Sequence, residues 1–400
     1  MSVDTSNDKA RSGIDSKPKF WNDPRKRALI FQLLLVGGLG LFLYAIASNT
    51  LHNLETRGIT TGFGFLSEEA GFGIPQTLVS YTEADSYGRT FVVGLLNTVL
   101  VAVLGIITAT ILGFLMGVAR LSDNWLISKL SEVYIEVFRN IPLLLQIFFW
   151  YFAVLRSLPN VRNSIDFGGA FFINNRGFYM PEPVTGDGFG VVWIALAIAV
   201  VASLVLNKWA HKRQDDTGEA FPVFWTSVGM IIGLPLLVFL IMGAPLTWEL
   251  PALKGFNFRG GMVVIPELVA LWLALTIYTG AFIAETVRAG ILAVPHGQIE
   301  AASALGLPKS RTLRLIIIPQ SMRVIIPPMT SQYLNLTKNS SLATAIGYPD
   351  LVNVFAGTTL NQTGQALEVI FMTMGVYLTL SILTSIFMNW YNKRKALVER

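Results

Sequence analysis

Long apolar runs with few or no charges recur along this chain, separated by polar segments that carry the charge. A helix needs roughly 20 apolar residues to cross a bilayer core. On that measure about eight spans are expected. The first covers Ala28 to Ala47 and the second runs from near Phe91 to about Ala119. The third has its cleanest apolar run at Ile141 to Leu155 and is extended back through Val133-Tyr134-Ile135, with Glu136 and Arg139 near the interface. Phe189 to Leu206, Phe224 to Gly243 and Val263 to Ala284 follow, the last with Glu267 near its start. The seventh, Val324 to Leu342, contains Pro327, Pro328, Asn335 and Lys338, and the eighth is Val369 to Tyr391. Backbone polar groups in hydrocarbon must be satisfied within the segment, so all eight are predicted as α-helices in an all-α polytopic membrane protein.

Charge orients the spans. With the N-terminus inside, 22 of the 30 Lys and Arg residues fall on the inner side and 8 on the outer. The positive-inside rule then places both termini in the cytoplasm. Without the polar seventh span, Lys393, Arg394 and Lys395 would lie outside, so that span is retained. The first 27 residues form a basic polar tail, and the run that follows has no small-residue cleavage site, so it reads as a retained first span.

Composition agrees with a bilayer. Hydrophobic residues make up 52% and charged residues only 14%, against about a quarter charged for a globular domain. There is no cysteine, which excludes disulfides and thiolate chemistry, and His52, His211 and His296 read as separate loop residues that form no metal site. The net charge of +5 has its explanation in membrane orientation and not in nucleic acid.

The segment 285–323, on the inner side, is long for a simple connection. Pro295-His296-Gly297 signals a turn, and Gln298 to Leu305 is alanine-rich and helix-compatible. Gly306 can end that helix in the left-handed conformation, and Pro308 discourages its continuation. A second short helix is predicted from Ser310 to Ile318, with Pro319 to kink or end it. Both ends are tethered to spans, so a DNA-reading helix-turn-helix is a poor fit, and a docking element for a cytoplasmic partner is a better one.

Glu300-Ala301-Ala302, Gly306, Ile316, Ile318 and Pro319 follow the spacing of a known signature, with Ile318 where leucine is usual. In this the chain resembles the inner-membrane permease subunits of ATP-binding-cassette importers. Phe138-Arg139-Asn140-Ile141-Pro142-Leu143, Tyr278 to Glu285 and Leu336 to Leu342 look like the polar amino-acid branch of that family. The long outer loops resemble those of the broad-range L-amino-acid permeases of Gram-negative bacteria, with the larger-loop subunit of the two-permease system the nearest in character. The resemblance implies a type I importer transmembrane domain over residues 89–391, with an outer insert at 156–188 and a coupling loop at 285–323. Residues 28–88 are then an additional span and outer loop, and 1–27 and 392–400 are tails. It also implies a bacterial inner membrane, a second related permease, an ATPase dimer that spends the ATP, and a periplasmic amino-acid-binding protein.

The chain has no Gly-Lys dipeptide, so it lacks a P-loop, and no cofactor bound by this chain and no enzyme activity are expected. A zwitterionic substrate needs polar groups near mid-membrane. Candidates are Asn97, Thr98, Gln146, Thr276, Tyr278, Ser331, Gln332, Asn335, Thr337 and Lys338, although Ser and Thr often bond only to their own helix. Glu136 with Arg139, and Glu285 with Arg288, are three apart and can pair, as a cytoplasmic gate or interface. An ion-coupled secondary transporter is the alternative, but it predicts related halves, and none is evident.

Overall fold

The computed structural model describes residues 24–56 and 61–395. The basic tail up to residue 23 and the final five residues lie outside them. The chain forms two compact units, one of residues 1–63 with 363–368, the other of 64–362 with 369–400. In the first unit, α1 (Pro24–Thr56) starts four residues before the expected span, so Arg25, Lys26 and Arg27 occupy its first turn. Its apolar side chains are exposed along its length, which only a lipid or protein neighbour makes tolerable.

The second unit is built on α2 (Tyr87–Ala119) and α7 (Pro266–Leu292). Gly105, Ala109, Gly113 and Gly117 recur every four residues on α2 and are all buried. A β-carbon on Gly113 would stand 2.5 Å from Ile283 Cγ2, and one on Gly117 would stand 2.6 Å from the carbonyl oxygen of Ala284. Small residues at this spacing let two membrane helices approach closely. Pro266 occupies the first turn of α7, where its missing N–H costs nothing, and Val263 and Val264 fall in a strand outside the helix.

The third expected span is two helices. α3 (Trp125–Asn140) and α4 (Leu143–Phe148), the latter continued by a π-helical turn to Leu155, are bent by 107° to one another. Pro142 is the cause. It has no N–H, and it forces Ile141 into an extended conformation (φ −94°, ψ 127°). Gln146 holds the break by donating from Nε2 to the carbonyls of Phe138 and Ile141, each at 3.0 Å.

α5 (Phe189–Thr217) and α6 (Val223–Ile241) form a hairpin, and α6 has no buried residue. α8 (His296–Ala304) follows α7. α9 (Lys309–Thr312) then runs through a π-helical segment at Leu313–Ile317 into α10 (Ile318–Asn339). The expected separate helix ending at Pro319 is therefore the start of a longer helical path. In a regular α-helix the Pro319 ring would crowd the carbonyl four residues back, and the wider π turn before it relieves that. A 3-10 segment (Ser340–Ile346), a π-helical segment (Val352–Thr359), α11 (Leu360–Thr363) and α12 (Ala366–Lys395) complete the chain. His52, His211 and His296 lie in α1, α5 and α8, not in loops.

Six described helices are long and apolar enough to cross a membrane, or seven if α3 and α4 make one bent span. α10 has the length, but its polar face keeps it out of that set, and it is the segment that would bring the number to the expected eight.

The segments before α5 and before α7 also carry short strands, among described residues that are mostly helical. β1 (Ile165–Phe167), β2 (Phe171–Asn174) and β3 (Gly177–Met180) form an antiparallel sheet closed by β8 (Met262–Val264), with Met180 opposite Met262. β4 (Glu182–Thr185) pairs with β5 (Leu246–Glu249), and β6 (Ala252–Lys254) with β7 (Asn257–Arg259). Phe172 and Tyr179 pack on Phe258 with ring centroids 4.6 and 4.7 Å apart, giving these strands a small core of their own.

Candidate functional site

α8 is a short helix whose ending is fully specified. The Gly306 N–H donates to Ser303 O at 3.0 Å and the Leu307 N–H to Ala302 O at 3.1 Å. With Gly306 at φ +71°, this is the paired closure of a Schellman motif. Ala302 is buried and seats the helix, whereas Ala301, Ser303, Ala304 and Gly306 are exposed. Leu305 is 80% exposed at the tip of the element. Glu300 Oε1 lies 2.9 Å from His296 Nδ1 on the same solvent-facing helix, so its charge stays at the surface. Gln320 donates to Gln298 and ties α8 to the first turn of α10. Ile316 is half-buried, and Ile318 and Pro319 are exposed on the second arm of the same element.

Charged side chains gather where α2, α3 and α7 approach this end. Glu285 and Arg288 form a two-point pair, Nη2 to Oε1 at 2.6 Å and Nε to Oε2 at 3.0 Å. Glu136 does not pair with Arg139. Its carboxylate lies 3.8 Å from Arg120, while the Arg139 guanidinium sits 5.3 Å over the Phe282 ring. Arg120 comes from the end of another helix, so no spacing along α3 reveals it.

The polar residues expected near mid-membrane divide into two groups. Five of the ten, Asn97, Thr98, Gln146, Thr276 and Thr337, are engaged in structural hydrogen bonds. Asn97 Nδ2 donates to the carbonyls of Gln76 and Pro349, both at 2.9 Å, and Tyr348 Oη donates to Asn97 O. Thr98 bonds Gly94 O and accepts from the Leu351 N–H at 3.0 Å. Thr276 meets Thr108 at 2.7 Å, Thr337 bonds Tyr333 O, and Tyr278 packs on Phe282. Gln332 is half-buried.

Ser331, Asn335 and Lys338 behave differently. They are exposed at i, i+4 and i+7 on α10. Lys338 lines a cavity of about 500 Å³ together with Ser341 and the Thr373, Tyr377 and Ser381 face of α12. The α12 residues were not among the expected candidates, although their four-residue spacing within an apolar run is visible in the sequence. Tyr377 is held from behind, its hydroxyl donating to Asp350 Oδ2 at 3.4 Å. Asp350 is buried, also accepts the Asn353 N–H at 2.8 Å, and burial pushes its carboxyl up to about 7. Val352, Met374 and Leu378 complete a lining that is largely apolar, with one ammonium group, hydroxyls and a phenol set into it.

Residues 216–397 match the family described as binding-protein-dependent transport system inner membrane component. The chain is 57% identical to a putative amino-acid ABC transporter permease protein, YhdX, of Escherichia coli, over 98% of this chain and 99% of that one. It is 55% identical to the general L-amino acid transport system permease protein AapQ of Rhizobium johnstonii, over 94% of each. It is 42% identical to the glutamate/glutamine/aspartate/asparagine transport system permease protein BztB of Rhodobacter capsulatus, over 94% of this chain and 96% of that one.

Proposed function

Since the chain belongs to the family of binding-protein-dependent transport system inner membrane components, we propose that it is a permease subunit moving L-amino acids of broad side-chain range across the bacterial inner membrane. It works with a second, related permease. An ATPase dimer seated on α8 drives it, and a periplasmic binding protein delivers the substrate. The observation that carries the reading is α8 itself. It is a helix with a defined stop, a buried alanine seat, an exposed leucine tip and a surface carboxylate, tethered between two long helices. Such an element transmits a push from a soluble partner to α7 and α10. The likeness to relatives named for amino-acid transport supports the substrate class, and the Lys338 cavity supplies chemistry that fits it.

The test is transport by the reconstituted complex in proteoliposomes, with labelled amino acids, the binding protein outside and ATP inside. Uptake that requires both the ATPase and the binding protein is expected, across several side-chain classes. Exclusive transport of sugars or inorganic ions would overturn the substrate class. Uptake driven by an ion gradient alone, without the ATPase, would return the reading to a secondary transporter.

A further inference from the structure

We propose that the α5–α6 hairpin carries a binding site for one anionic phospholipid of the inner leaflet. The acyl part of the site is a groove of about 640 Å³ on one side of α5, lined by Ile198, Val201, Ala202, Val205 and Trp209 with Met230 of α6 across from them. Its lining is almost wholly apolar. From residue 197 to residue 209, α5 rises about 18 Å, close to the depth of one leaflet of a roughly 30 Å hydrocarbon core. The groove is therefore as long as a leaflet is deep.

The headgroup part lies where the groove ends. Ile198, Val201, Val205, Lys208 and Lys212 follow one another at steps of three and four, so the apolar stripe runs directly into two ammonium groups on the same helix face. Arg213 is already paired with Glu219 at 2.8 Å, and Asp215 and Asp216 stand only three and four residues beyond Lys212. Even so, among the described residues no carboxylate forms a salt bridge with Lys208 or Lys212. Trp209 sits at the boundary between the two parts, 5.5 Å from Phe221 and beneath Arg213, the depth at which aromatic rings concentrate in membranes. An apolar slot one leaflet long, ending in two cations, matches an acyl chain attached to a phosphate.

The fold fixes which leaflet this is. β3 precedes α5, β8 precedes α7, and the two strands pair, so α5 and α7 start from the same side. Their other ends, Lys208 to Thr217 on α5 and the α8 end of α7, therefore share the opposite side, which is the inner one under the functional reading above. Anionic headgroups on the cytoplasmic surface attract juxtamembrane Lys and Arg, and two such cations correspond to a preference on the order of tenfold or more over a zwitterionic lipid.

The test uses the purified full-length permease complex, delipidated in mild detergent and titrated separately with dioleoyl phosphatidylglycerol and dioleoyl phosphatidylcholine. Retained lipid is counted by native mass spectrometry. The wild type should keep one phosphatidylglycerol with about tenfold preference. Lys208→Gln with Lys212→Gln should lower that preference to near one, while Lys208→Arg with Lys212→Arg should keep it, which separates charge from folding. Ala202→Trp, which fills the groove, should lose the retained lipid altogether. Equal retention of the two lipids by the wild type, or an unchanged preference in the double Gln variant, would overturn the proposal. So would a groove filled by the second permease, seen as Ala202→Trp dissociating the complex without changing lipid retention. None of these readouts requires transport, so failure here and failure of the transport reading are distinguishable.

Discussion

Gly306→Ala isolates the ending of α8 from everything else in the molecule. A β-carbon at this position meets no atom within 4 Å, so no clash contributes. The φ of +71° remains, and a left-handed backbone costs an L-residue about 1 to 2 kcal/mol. At about 1.4 kcal/mol per factor of ten, the population that ends α8 through Ser303 and Ala302 falls roughly five- to thirtyfold relative to alternatives. Insertion should be normal, because no apolar helix changes. Asparagine tolerates the left-handed region better than alanine, and a β-branched residue tolerates it worst. The series Gly, Asn, Ala, Val should therefore show a graded loss. The assay is co-purification of the ATPase and ATP-driven uptake, on protein matched for membrane abundance. Both should fall together in that order, while the binding protein keeps its amino-acid affinity. Wild-type coupling in Gly306→Ala and Gly306→Val would falsify the docking role, whatever the family.

Glu300→Ala removes a surface carboxylate and no packing, so ATPase binding should weaken with no change in melting temperature, both read on the purified complex. Gly117→Ala places a methyl 2.6 Å from the Ala284 carbonyl oxygen, an overpacking worth about 1 to 3 kcal/mol, and should lower the melting temperature in detergent. Lys338→Met should abolish uptake while leaving assembly with the ATPase intact, and preserved transport would remove this cavity from the pathway. Asp350 binds its proton more tightly folded than unfolded, so its contribution to stability is present below pH 3.8 and is lost as pH rises toward about 7. Asp350→Asn should flatten that slope, and melting curves of both proteins from pH 5 to pH 8 compare them.

What the sequence disclosed is what local physics decides. The stop at Gly306 follows from one glycine and the alanine-rich run before it, and the structure has it there. The apolar helices were legible from length alone. The failures are long-range. Pro142 was in plain view, but an apolar run on one side and an amphipathic one on the other were joined into a single span, and only the 107° bend separates them. The strands escaped because they are three or four residues long and β3 finds β8 more than 80 residues later. Glu136 was matched to its nearest cation in sequence, whereas its nearest cation in space is Arg120. Asn97 and Gln146 were candidates for a substrate pathway, and they are satisfied in part by carbonyls freed at a turn and at a break.

The pairing of Met180 with Met262 puts the two ends of a long excursion side by side. Opposed strand residues are about 5 Å apart, so everything from β4 through β7 leaves and rejoins the chain at nearly one point. That excursion contains two long apolar helices, and two crossings cancel. Its parity is even. Replacing residues 181–261 by a tight two-residue turn would leave β3 and β8 as an ordinary hairpin. α7 would still enter the membrane from its present side, and α8 would still emerge on the face where it now stands. The part of the chain that offers a lipid site is thus topologically separable from the part that offers a docking helix. Either could be gained, lost or exchanged without inverting the other.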